Sequence, residues 1–427
     1  MGETPSRFWL LAVIVATVAI FLYMPTWRYD YTYLDDDNLV LNQKSFLEKP
    51  SSLYKVFGRS FFGIKSNAYY RPIVNLSFAV NARFNEVRAF GYHFANTLFH
   101  ALACVLFLAL LRRLRFGDPA SLLAALFFAV HPVNVSSVAW IPGRNDALLG
   151  CFALGACLLL LHDAHRPGKA AKIGHLSCLI LALFTKETAI CLPVLFIVAL
   201  WAEEGRHALK RRWWMWAGWA IAFVLYFAAR HAVITSPPGY VAHQLQMAFQ
   251  RWPVLLSDIG KLLLPVRLQV LAAPVDTLAW PGAVVIAIIG AACLIRGMRR
   301  GIIALSLALV LLPLLMSLLG VWFAVLETRL YLPVAGVCVL FGEAIRAARS
   351  RGSKLLNTAI TVTAVLIIST LGVVNLRYVP SFQDRDRFSN AALDGSPNSA
   401  IAGNLRFKAL HPDMFMDLAP PVEGASR

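Results

Sequence analysis

The stretch YLDDDNLVLN sets three consecutive carboxylates, Asp35, Asp36 and Asp37, just beyond an apolar run long enough to cross a membrane. A carboxylate held there can deprotonate a hydroxyl as a general base. Further along, HPVNVSSVAWIPGRND (131–146) carries His131, Arg144 and Asp146, FTKET (184–188) carries Lys186 and Glu187, and LETRLYLP (326–333) carries Glu327, Arg329 and Tyr331. Charged groups at such depths are costly unless paired or facing a polar cavity. Arg144, Lys186 and Arg329 are suited to phosphate oxygens, Arg through bidentate contacts and Lys as a point charge. A base and several cations on one membrane face suit a lipid-linked phosphate: the base activates a hydroxyl while the cations steady the phosphate leaving a sugar's anomeric carbon.

Each element also has a plainer reading. The acidic run can be a solvated flank at a helix exit, and Lys186 and Glu187 can neutralise each other. Asn145 and Asp146 are good helix-start residues, which would make Arg144 and Asp146 part of a cap. His131 can simply end its helix before Pro132. The HDAH stretch (162–165) invites a metal reading but falls on the face away from the other candidates.

The elements that must position these residues are membrane helices. The 427 residues are 58% hydrophobic and 15% charged, a composition for a chain solvated mainly by lipid. Candidate spans lie near 8–26, 94–111, 119–131, 146–162, 174–185, 188–202, 213–230, 279–295, 301–324, 329–346 and 355–375, about eleven for a hydrocarbon core of ~30 Å. Every second loop is short and basic: 112–117, 165–172, 206–212, 296–300 and 346–354. By the positive-inside rule these loops and the N-terminus are cytoplasmic, and the acidic triplet, its partners and the tail beyond 375 are outside. The net charge of +17 is thus largely topological, not a nucleic-acid footprint. The seven cysteines lie in or beside spans without a CxxC pair, so neither a disulfide framework nor a zinc site is indicated. The segments SLYKVFGRSFFG (52–63) and RWPVLLSDIGKLLLP (251–265) have the aromatic and basic mixture of interfacial helices, and the second could also re-enter.

Read in order, YLDDDNLVLN, the 69–102 stretch beginning YYRP and containing GYHF, then HPVNVSSVAWIPGRND, TKET and ETRLYLP resemble the membrane half of the transmembrane and tetratricopeptide repeat-containing O-mannosyltransferases and their bacterial relatives. The matching positions are Tyr70, Arg71 and Pro72; Gly91, Tyr92 and His93; His131, Pro132, Gly143, Arg144 and Asp146; Lys186 and Glu187; and Arg329, Tyr331, Leu332 and Pro333. The resemblance implies an all-α, polytopic GT-C glycosyltransferase that moves a sugar from a polyprenyl-phosphate carrier to an acceptor hydroxyl, with inversion. It implies that the base is among Asp35, Asp36 and Asp37, with Asp35 and Asp36 favoured over Asp37. It also implies that Arg71, His93, His131, Arg144, Asp146, Lys186, Glu187, Arg329 and Tyr331 hold the donor's phosphate and sugar.

On this reading residues 1–375 form the catalytic membrane domain, with 28–93 as its first outer loop, and 376–427 form a short outer tail resembling the start of one tetratricopeptide repeat. The relatives continue into many repeats, so the acceptor stays open among protein Ser or Thr, peptide and glycan or glycolipid, and a partner protein could supply recognition. The expected placement is the inner membrane, with a periplasmic active face. No cofactor is assigned, and the aspartates are oxygen ligands that could take a divalent cation. The alternative classes are a lipid-linked sugar or ion transporter, or flippase, and an inactive membrane scaffold.

Overall fold

The computed structural model describes residues 5–63, 69–205, 212–234, 240–319, 325–350 and 352–411. Nearly all of the 206–212 basic loop, the end of the 301–324 run and the tail beyond 411 lie outside these residues. Among the described residues every regular element is helical; the sole strand-like feature is an isolated bridge between Ala272 and Val325.

All eleven apolar runs contain a helix, but among the described residues only seven helices are long and apolar enough to cross a membrane, or eight if a bent pair is one span. Length explains the shortfall. Lys169–Leu183 has 15 residues and Leu192–Glu204 has 13. At 1.5 Å per residue these reach only about 20 Å, short of a ~30 Å core.

The bent pair is Asp118–Val130 followed by Pro132–Val138, at 46°. Pro132 has no N–H to offer the carbonyl four residues back. Three side chains satisfy the carbonyls around the break: Asn134 donates to Phe128 O at 2.8 Å, His100 Nε2 lies 3.1 Å from Ala129 O, and Asn375 donates to Val130 O at 3.3 Å. The interruption is therefore built into the core.

The basic loops meet at one end of the bundle. Arg113 contacts His165 and Glu203, Arg299 donates to Leu114 O, and Arg299 and Arg346 both pair with the buried Glu343. The aspartate triplet, Lys186 and Arg329 gather at the other end. Arg144–His165, with 22 residues, runs between the two over about 33 Å.

The first outer segment builds a small core of its own. Short helical turns at Asp37–Leu41, Lys44–Leu47 and Ser52–Lys55 pack Leu39, Val40 and Leu47 with Phe78 and Ala79 of the Pro72–Asn85 helix. After the Lys354–Tyr378 helix the chain ends its described part in a helical pair, Arg385–Gly395 and Ala400–Leu410, here termed the C-terminal hairpin. Its helices are capped by Asp384, which accepts from Arg387 N at 2.8 Å, and by Ser399, which accepts from Ala402 N.

Candidate functional site

The acid-bearing loop is wound tightly enough that neighbouring aspartates face different ways. Tyr33 and Asp35 both have positive φ, 59° and 62°, a conformation that Asp tolerates better than most residues. The fully buried Asp36 carboxylate holds the winding. It accepts from Thr32 N at 2.7 Å, from Leu34 N at 2.9 Å and from Thr32 Oγ1. Asp37 begins the next helical turn, and its Oδ1 accepts from Asn38 N at 2.8 Å. Asp35 alone of the triplet lines a cavity of about 340 Å³, where it has no hydrogen bond or ion pair through its carboxylate among the described residues.

Burial raises Asp35 from its usual carboxylate value to about 6, with the charge of Asp37 adding to the shift and that of Arg71 opposing it. Burial pushes Asp36 up to about 7, against the hydrogen bonds from Thr32. The first therefore exchanges its proton near neutrality, as a general base should. The second has spent its lone pairs on backbone.

Three cations line the same cavity: Arg71, Lys186 and Arg329. Arg71 stands before the Pro72–Asn85 helix and donates through Nε and Nη2 to Glu187 Oε2, at 3.0 and 2.8 Å. Its guanidinium lies 4.4 Å over the Tyr69 ring. Lys186 sits in the turn ahead of Leu192–Glu204 and donates to both Asp146 oxygens, at 2.6 and 2.7 Å. Burial pulls the Lys186 ammonium below its usual value and Asp146 counters that. Arg329 is carried by the 3-10 turn Glu327–Leu330, whose Glu327 accepts from Lys261 at 2.8 Å. Glu187 and Asp146 fix two of these cations, Arg71 and Lys186, that would otherwise be costly to bury.

The other candidates lie outside the cavity lining. Arg144 is fully buried among neutral acceptors: Asn96 Oδ1 at 2.6 Å, Asn81 Oδ1 at 2.5 Å, Ser77 Oγ at 3.2 Å and Tyr92 O at 2.9 Å. It joins the Pro72–Asn85, Ala89–Arg113 and Arg144–His165 helices. Gly143 before it has no room for a side chain, since a Cβ there would meet Ser136 O at 2.2 Å. His131 uses both ring nitrogens on backbone, at Leu262 O and Val133 N. His93 faces Asp30 O at 3.4 Å. Tyr331 is buried with its hydroxyl 2.8 Å from His100 Nδ1.

Sequence reasoning missed several cavity residues, among them Tyr69, Trp140, Asn145, Thr328 and Ile401. Asn145 Oδ1 is buried without a partner among the described residues, which leaves it available to a ligand hydroxyl. A YYRP run and a Trp in the turn before GRND were the signals for Tyr69 and Trp140; Ile401 had none. No group of three or more His, Cys, Asp or Glu residues able to hold a metal occurs among the described residues.

Residues 73–229 match the family model described as dolichyl-phosphate-mannose-protein mannosyltransferase. Protein O-mannosyl-transferase TMTC3 of Mus musculus is 36% identical over 129 residues, 29% of this chain and 14% of that protein. Protein O-mannosyl-transferase F38B6.6 of Caenorhabditis elegans is 31% identical over 164 residues, 36% of this chain and 23% of its own. Each match spans under a quarter of the relative's length. In solved structures, ArnT from Cupriavidus metallidurans bound to undecaprenyl phosphate aligns over 98% of this chain and 80% of its own, at 14% identity and a TM-score of 0.49. The chain thus resembles the TMTC O-mannosyltransferases in sequence over part of its length.

Proposed function

We propose that this chain is a GT-C membrane glycosyltransferase that moves a sugar from a polyprenyl-phosphate donor to an acceptor hydroxyl, with inversion at the anomeric carbon. One observation carries the reading: the Asp35 carboxylate, without a partner among the described residues, shares a cavity with Arg71, Lys186 and Arg329. The names of the matched family and relatives, which specify a dolichyl-phosphate-mannose donor and O-mannosyl transfer, support a lipid-phosphate sugar as substrate.

The acceptor oxygen forms a bond to the anomeric carbon as the carbon–oxygen bond to phosphate breaks. The electron pair leaves on the phosphate, and the hydroxyl proton passes to Asp35. Arg71, Lys186 and Arg329 stabilise the charge that grows on the phosphate, and Glu187 and Asp146 hold the first two in place before substrate arrives. Asp146 and Glu187 are engaged with Lys186 and Arg71, so neither is a free carboxylate nucleophile. A single base and no carboxylate nucleophile favour one displacement, hence inversion. Asn145 Oδ1 is placed to accept from a sugar or acceptor hydroxyl. The basic loops at the far end of the bundle favour a cytoplasmic location for that end, which puts the cavity on the outer face of an inner membrane.

The test is sugar transfer by purified protein in lipid, using labelled polyprenyl-phosphate sugars with peptide and glycolipid acceptors. Transfer by wild type that disappears in Arg329→Ala, while the variant stays folded, supports the reading. Absence of transfer from every donor, with unchanged cellular glycans in a deletion strain, overturns it and favours transport.

A further inference from the structure

We propose that the C-terminal hairpin is the acceptor-side wall of the site, and that Ile401 sets how much bulk fits beside the reacting hydroxyl. The inference rests on the glycosyltransferase reading of the cavity. Ile401, from the second hairpin helix, lines the cavity that holds Asp35.

The hairpin is fixed to the membrane domain at several points. Asp276 accepts from the Ser396 hydroxyl, from Asn398 N at 3.0 Å and from Asn398 Nδ2 at 2.7 Å. Gln269 donates to Gly395 O at 2.7 Å, and Ala273 N donates to Ser396 Oγ at 2.8 Å. These clamps hold the turn between the helices and therefore the start of the helix bearing Ile401.

The hairpin also contacts the acid loop. Asp30 N donates to Gln383 O at 2.8 Å just before the hairpin, and Arg385 lies 5.2 Å over the Tyr33 ring. Phe388 stacks on Trp140 with ring centres 6.1 Å apart, and Trp140 Nε1 donates to Thr32 Oγ1 at 3.1 Å, the hydroxyl that itself bonds Asp36. The hairpin is thus tied to the loop that presents Asp35, whereas Arg71, Lys186 and Arg329 come from other elements.

A hydroxyl that gives its proton to Asp35 must lie within hydrogen-bond reach of it. The group next to that hydroxyl then faces the acid-loop side of the cavity, where Ile401 supplies a stiff, β-branched, apolar surface. Such a wall suits a hydroxyl flanked by hydrogen or a small apolar group and disfavours a bulky neighbour.

The experiment compares wild type, Ile401→Ala and Ile401→Trp on peptides carrying serine, threonine or β-phenylserine, alongside undecaprenyl phosphate binding. Ile401→Ala should raise kcat/KM for β-phenylserine relative to serine by tenfold or more. Ile401→Trp should lose transfer to all three while binding undecaprenyl phosphate like wild type. An acceptor ranking unmoved by Ile401→Ala overturns the inference, as does loss of undecaprenyl phosphate binding in a folded Ile401→Trp protein, which would put Ile401 on the donor side. Wild type that neither binds the lipid nor turns over is instead a failure of the site's reading, and removes the inference with it.

Discussion

Replacing Asp35 by Asn removes a base but keeps the side chain's size, whereas replacing Asp36 by Asn removes an anchor. The structure separates the two. Asp35 faces the cavity without a partner among the described residues, so its amide variant loses no internal hydrogen bond. The expected loss is that of a general base, about 10²- to 10⁴-fold in kcat. That is roughly 3–5 kcal/mol of transition-state stabilisation, with lipid-phosphate binding unchanged and the unfolding temperature at neutral pH no lower than that of wild type. Asp36 accepts from two backbone N–H groups and a hydroxyl. An amide turned to keep one of these sets its own N–H₂ against another donor, and a buried group left unpaired costs about 1–3 kcal/mol. Asp36→Asn should therefore lower thermal stability and loosen the acid loop, with any activity loss following the loss of fold. The assay is single-turnover sugar transfer beside a thermal melt for each protein. A stable Asp36→Asn enzyme that has lost the chemical step, beside an active Asp35→Asn, would refute the assignment.

The remaining predictions concern the cavity walls and their charge. Because burial raises Asp35 to about 6 and a base works deprotonated, kcat/KM should rise with pH through about 6 and level off above, a limb absent from the residual rate of Asp35→Asn. Asp35 and Asp36 hold their protons more tightly folded than unfolded, so both give up stability as pH rises from the ordinary carboxylate value near 3.8 through about 6 to 7, which melts across that window would show. Lys186→Met strands the buried Asp146 and should cost about 3–5 kcal/mol in a denaturation series. The double variant Lys186→Met with Asp146→Leu should recover much of that stability but no transfer. Arg144→Lys gives up the fork that spans its neutral acceptors and should lower melting temperature while leaving the lipid-phosphate affinity of the folded protein unchanged; a lost affinity would return Arg144 to the donor site.

Each of the eleven apolar runs contains a helix, but only seven or eight of the described helices are long enough to cross a membrane, because hydropathy does not report where a helix stops. The Lys169–Leu183 and Leu192–Glu204 helices end early around the Lys186 turn, and Pro132 breaks another next to His131. Charge made Asp35, Lys186 and Arg329 legible, since a charged group beside a span needs a reason, and Arg71 came only with the family resemblance. It could not separate cavity from scaffold. Arg144 and Lys186 look alike as cations in outer turns, yet one is held by Asn81, Asn96, Ser77 and Tyr92 O, and the other lines the cavity beside Asp146. Likewise the three aspartates differ only through the positive φ at Tyr33 and Asp35 and the inward turn of Asp36. Neutral residues such as Ile401 and Asn145 reach the cavity through tertiary packing, for which a single sequence carries no periodic signal.

The most direct measurement is an experimental structure of the protein in lipid with a polyprenyl phosphate bound. The account predicts phosphate oxygens within hydrogen-bond reach of Arg71, Lys186 and Arg329, with Asp35 across the same cavity. A phosphate bound elsewhere on the protein, with Arg71 and Lys186 still closed on Glu187 and Asp146, would contradict it.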